Sequence, residues 1–142
     1  MNQEQLSSAV SDFALTIGIL TRRMRSASGA HDFSWTQRAV ISRLARHGSA
    51  TISDLARAES VKPQSMGVIV AALEEANVVE RKADATDRRQ FNISLTENGA
   101  ALCEQIRAAK RSWLAEAVAR LNEEEQETLF AAGTIIKRMV EL

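Results

Sequence analysis

Apolar residues in the first part of the chain fall on a spacing of three and four. Leu6, Val10, Phe13, Ile17, Leu20 and Met24 line one face of a helix over residues 6–24. Arg22, Arg23 and Arg25 suit the negative end of that helix, and Ser26-Ala27-Ser28-Gly29 breaks it. Ser34-Trp35-Thr36-Gln37 is a capping-box pattern that opens a second helix, with Val40, Ile41 and Leu44 facing inward and His47-Gly48 as the stop. His47 there suits the helix dipole better than catalysis.

Thr51-Ile52-Ser53-Asp54 repeats the capping logic for a helix of about two turns. Pro63 then fits the first position of a third helix reaching residue 76, because its missing N–H is not needed there. Two short helices joined by a tight turn are a helix-turn-helix. In the second of them Ile69, Val70 and Leu73 face inward, while Gln64, Ser65, Gly67 and Val68 occupy the first turns. Gly67 costs about 1 kcal/mol relative to Ala in a helix. Either a backbone approaches closely at that point or the cost is tolerated.

Asn77 can adopt the left-handed conformation that ends a helix. Residues 78–82 then read as a strand, residues 83–90 as a polar tip, and Phe91-Asn92-Ile93-Ser94-Leu95 alternates with period two as the returning strand. A helix-turn-helix followed by a hairpin is a winged helix. Thr96 caps a long segment striped by Leu102, Ile106, Ala109, Trp113, Ala117 and Leu121. Asn122 and Glu125 open a last helix, striped by Leu129, Ala132, Ile136, Met139 and Val140.

The predicted fold is mainly α with a small β-hairpin wing, a single compact domain in three regions: residues 1–33, a winged helix-turn-helix over 34–95, and residues 96–142. The terminal helices carry more apolar surface than a small winged core can cover. Leu6, Val10, Phe13, Trp113, Leu129, Ile136 and Met139 are therefore expected to form a dimerisation region, and a two-fold dimer would set two reading helices about one DNA turn apart.

Composition adds limits. The 142 residues carry 18 basic and 18 acidic side chains, so net charge gives no hint of a polyanionic partner. Its distribution is uneven: residues 34–95 hold nine Lys/Arg and seven Asp/Glu, and residues 96–142 hold six and eight. The lone Cys103 has no partner for an intramolecular disulfide and no metal-ligand neighbours, and reads as a small core residue. Neither an export signal nor a membrane-spanning run stands out, which makes a cytoplasmic location the expectation. The sequence has no Gly-rich phosphate loop, no H-E-x-x-H pair and no nucleophile elbow, and His31 and His47 lack evident catalytic partners, so neither an enzyme nor a cofactor or metal is expected.

Several runs, Trp35-Thr36-Gln37, Leu55-Ala56, Leu73-Glu74-Glu75-Ala76-Asn77-Val78-Val79-Glu80-Arg81, Asp84-Ala85-Thr86-Asp87-Arg88-Arg89 and Leu95-Thr96-Glu97-Asn98-Gly99, together resemble the multiple-antibiotic-resistance regulator (MarR) family of bacterial winged-helix transcription factors. The resemblance spans nearly the whole chain. It implies a homodimeric regulator, commonly a repressor, bound to a pseudo-palindromic duplex DNA operator. The helix from Pro63 would lie in the major groove, with Lys62, Pro63, Gln64, Ser65, Met66 and Val68 at the DNA and Gln64 and Ser65 reading bases. Arg89 would enter the minor groove, Asp87 would hold the wing by a salt bridge, and Lys62, Arg81, Lys82 and Arg88 would meet phosphates.

The family's usual control is by a small aromatic or phenolic effector in a cleft, for which Ile17, Leu20, Trp35, Arg43 and His47 are candidate lining residues. The chain departs from the family pattern at Asn77, where Gly is usual, at Lys62, where a short polar cap is usual, and at Gly67, where Thr is frequent. The residues also leave open a winged helix that serves protein contacts or assembly without sequence-specific DNA binding.

Overall fold

The computed structural model describes residues 1–29 and 32–141; His31 lies outside them. The element order is α1 (Gln3–Ala27), α2 (Trp35–His47), β1 (Ala50–Thr51), α3 (Ile52–Ala58), α4 (Pro63–Glu75), β2 (Val79–Ala83), β3 (Phe91–Leu95), α5 (Glu97–Val118) and α6 (Glu123–Val140). Side chains fix most helix starts. Ser34 accepts the Gln37 N–H while the Gln37 amide oxygen accepts the Ser34 N–H, and Asn122 with Glu125 does the same. Asn2 and Gln5 form a further box that starts α1 three residues ahead of its apolar stripe.

The core lies between α2 and the start of α5. Val40, Ile41 and Leu44 of α2 meet Leu55 and Ala56 of α3, Met66, Val70 and Leu73 of α4, and Ile93 of β3, all buried. Each large apolar side chain so buried contributes about 1.5–3 kcal/mol. Cys103 closes this core from α5, as expected of a small core residue.

The sheet is three-stranded and antiparallel in the order β1-β3-β2. The hairpin partners run from Val79 opposite Leu95 to Ala83 opposite Phe91. The sequence reading missed β1, in which Ala50 pairs with Ile93 and Thr51 with Asn92. Two residues are too few for an alternating pattern, and Thr51 is also the N-cap of α3.

Among the described residues, α1 and α6 contribute no buried side chain. α1 packs along α5, whereas α6 makes no extensive contact with any other element. Leu6, Val10, Phe13, Leu129 and Met139 are exposed, with Trp113 and Ile136 half-buried. No helix among the described residues is long and apolar enough to cross a membrane.

Candidate nucleic-acid interface

The helix-turn-helix turn is built on Ser60, which takes a positive φ of 54°, and on the Val61 N–H, which reaches back to the Ala56 carbonyl at 3.0 Å. α4 then begins at Pro63. Lys62 stands at its N-cap without a side-chain capping bond, so the backbone N–H groups of the first turn are not occupied by a side chain there.

Two stripes divide α4. Met66, Val70 and Leu73 point inward and are fully buried. Gln64, Ser65, Val68, Ala71, Ala72 and Glu75 are exposed, the spacing of a single outward face. The expectation that Met66 meets DNA is therefore corrected: its side chain is core, because it lies four and seven residues from Val70 and Leu73. Lys62, Pro63, Gln64, Ser65 and Val68 all stand exposed at the helix start. Beyond its chain neighbours and its own helix backbone, a Cβ at Gly67 would meet no atom of the described residues within 4 Å, so no other segment among them packs against it.

The wing tip is held by short polar loops. The Asp84 carboxylate accepts the Thr86 N–H and hydroxyl, each at 3.0 Å, and these bonds lower its pKa below the ordinary 3.8. The Asp84 N–H donates to the Gln90 carbonyl at 3.0 Å, closing the hairpin. Asp87 accepts the Arg89 backbone N–H at 3.0 Å. It thus holds the loop through the backbone and not through the implied salt bridge, because an Asp two residues ahead of an N–H closes an Asx turn by itself.

The four basic wing residues divide. Arg81 is half-buried and its Nε donates to both carboxylate oxygens of Glu74, at 3.2 and 3.3 Å. That pair ties β2 to the end of α4 and leaves the Arg81 side chain part-exposed. Lys82 lies 3.4 Å from Glu80 on the exposed strand. Arg88 and Arg89 are exposed and form no ion pair among the described residues. A small cleft sets Arg89, Gln90 and Phe91 beside Thr51, Ile52 and Ser53, so the wing base adjoins the start of α3.

A cavity of about 320 Å³ lies among α1, α2 and α5. Arg25, Trp35, Arg38, Cys103, Arg107 and Lys110 are among its walls. The Arg25 guanidinium stacks over the Trp35 ring with Cζ 4.5 Å from the centroid, and Arg38 stands at 5.9 Å. Of the residues anticipated for an effector, only Trp35 lines this space. Arg43 instead faces Glu59 at 3.7 Å, His47 is exposed at the end of α2, and Ile17 and Leu20 belong to the half-buried part of α1. The sequence signal that was missed is the shared helical face of Cys103, Arg107 and Lys110, facing Trp35 and Arg38. Burial raises the Cys103 pKa, with Arg107 opposing, and the side chain packs in the core. No cluster able to hold a metal occurs among the described residues.

A helix-turn-helix whose second helix keeps an exposed face, followed by a hairpin with a basic tip, is a winged helix. The MarR family profile matches residues 33–91. An HTH-type transcriptional regulator of Mycobacterium bovis is 34% identical over 131 residues, 92% of this chain and 92% of that protein. The repressor MdtR of Bacillus subtilis is 33% identical over 86 residues, 61% of this chain and 56% of MdtR.

Among solved structures, a Pseudomonas aeruginosa protein described as a transcriptional regulator superposes with a TM-score of 0.85 at 28% identity, over 100% of this chain and 99% of that one. A Staphylococcus aureus MepR variant bound to an oligodeoxyribonucleotide gives 0.74 at 23% identity, over 93% and 97%. The chain belongs to the MarR family: it is a DNA-binding transcriptional regulator and not an enzyme.

Proposed function

We propose that the chain is a homodimeric repressor that binds a pseudo-palindromic operator and is released by a small effector. Residues 34–95 read the DNA, and residues 1–33 and 96–142 form the dimer frame. The observation that carries this reading is the surface made by the open first turns of α4 and the wing tip, where Arg88 and Arg89 form no ion pair among the described residues while Arg81 and Lys82 are engaged. Gln64 and Ser65 sit where a reading helix meets base edges, and Lys62 and Arg88 are placed for phosphates. Arg89 fits a narrow minor groove, whose concentrated negative potential draws in a guanidinium. The MepR–oligodeoxyribonucleotide complex and the repressor MdtR support the same reading by likeness.

The cavity beside Trp35 is the candidate effector site. Arg25, Arg38, Arg107 and Lys110 surround it and no carboxylate among the described residues lines it, which favours an aromatic or phenolic ligand that carries negative charge. As a regulator of transcription the chain works in the cytoplasm.

Footprinting the purified protein on DNA upstream of its own gene tests the proposal. A protected pseudo-palindrome is expected, with affinity that falls as salt rises because phosphate neutralisation releases counterions. Arg89→Glu should weaken binding by at least about tenfold, about 1.4 kcal/mol. Unchanged affinity in that variant rejects the wing's role, and absence of any protected site rejects the operator reading.

A further inference from the structure

We propose that α4 recognises its half-site through adenine and the 5-methyl group of thymine, not through guanine, with Val68 as the specificity-determining contact. This rests on the DNA-binding role argued above and names the chemistry that the helix reads.

Val68 is 72% exposed, more than Trp35 or Phe91, the other large apolar residues left open between residues 34 and 95. It is a β-branched side chain on a helix surface, a placement that helix propensity disfavours. It lies three and four residues after Ser65 and Gln64 and so shares their outward face. Past the N-cap Lys62 that face carries no cation: it reads Gln64, Ser65, Val68, Ala71, Ala72 and Glu75. The next basic side chain, Arg81, is held by Glu74.

Guanine shows two acceptors in the major groove and is matched best by a cationic donor such as Arg or Lys; with Lys62 assigned to phosphate, the face past the N-cap offers none. Adenine shows an acceptor and a donor, matched by the Gln64 amide, and thymine adds a methyl group that an exposed Val can cover. Val is short and reaches that methyl only if the helix sits deep. Gly67, with open space around it, and the small Ala71 and Ala72 permit that depth. Glu75 at the far end repels phosphate, which leaves the first turns as the part that enters.

The test uses the full chain and duplexes selected from a random-sequence pool, with thymine positions then replaced singly by uracil, a change that removes only the methyl. For one thymine replaced in each half-site, two methyl groups over the dimer, the wild type should lose about fifteenfold in affinity, about fourfold for each methyl-sized group no longer buried. Val68→Ala should bind the thymine duplex about as weakly as the wild type binds the uracil duplex, should be indifferent to the exchange, and should keep its thermal stability, because Val68 supports no core contact. Selected half-sites in which guanine is required opposite α4, a wild type insensitive to every uracil exchange, or a Val68→Ala protein still sensitive to it would overturn the proposal. A wild type that selects no sequence at all defeats the operator reading itself, and this proposal with it.

Discussion

Thr96 joins two parts of the molecule that are distant in sequence. Its hydroxyl donates to the Asn77 carbonyl at 2.6 Å and accepts the Gly99 N–H at 2.9 Å, so one side chain both caps α5 and clamps the turn after α4. The Asn98 amide donates to the same Asn77 carbonyl at 3.2 Å, and Asn77 itself is left-handed at φ 58°. Gly99 completes the junction, because a Cβ there would collide with the Val78 carbonyl oxygen. The run Leu95-Thr96-Glu97-Asn98-Gly99 could be recognised from the sequence, as could Asn77 as a helix stop. What the run touches was not legible, since every partner lies about twenty residues back in the chain. Gly99→Ala should destabilise the fold by about 1–3 kcal/mol, the usual cost of overpacking, with a lower urea midpoint. A midpoint equal to the wild type would show that the α4–β2 turn yields freely.

At the scale of elements, helix starts were the most legible feature, because a capping box is written within four consecutive residues. The two stripes of α4 were legible in part. Val70 and Leu73 are buried as anticipated, but Met66 passed for a groove residue because its place in the first turn outweighed its place in the inner stripe. The wing was legible as a hairpin, while its internal hydrogen bonds were not.

Asp84 gives the wing a measurable signature. Its pKa is lowered by the Thr86 backbone and hydroxyl bonds, so the ordering it contributes is present above the unfolded value and is lost as pH falls through the folded value. In an NMR titration the Thr86 amide resonance should move with a midpoint below the ordinary 3.8, and Asp84→Asn should abolish that movement while leaving the core resonances unchanged. A midpoint at or above 3.8 contradicts the turn described. The same variant should not alter the Arg81–Glu74 pair, which anchors the other end of the hairpin.

At the scale of the whole molecule, the accessible surface is 10435 Å². A compact chain of this mass would show about 7,200 Å². Most of the exposed large apolar side chains among the described residues stand on α1 and α6, including Val10, Phe13, Phe130, Ile135 and Met139. Covering faces of this kind is the business of a large, apolar homodimer interface. Sedimentation at micromolar concentration should therefore give a dimer. Phe13→Glu should shift it toward monomer and weaken operator binding by about a hundredfold, because two linked half-site contacts become one. A monomeric wild type would remove the basis for a two-fold operator. The proposed dimer also bears on charge: with 18 positive and 18 negative side chains per chain, it would attract DNA through the local wing and α4 surface presented twice.

The sequence by itself determined the helices, their caps, the stop at Asn77 and the hairpin, because each is specified by residues within a few positions of one another. The same nearness made the winged helix and its family recognisable. Tertiary structure decided which side chains of those elements are available. It placed Met66 in the core, engaged Arg81 with Glu74, left Arg88 and Arg89 exposed, added β1 to the sheet and gathered Trp35, Cys103 and Arg107 around one cavity. These outcomes depend on contacts between distant segments, where burial and charge pairing are settled by packing and not by local pattern.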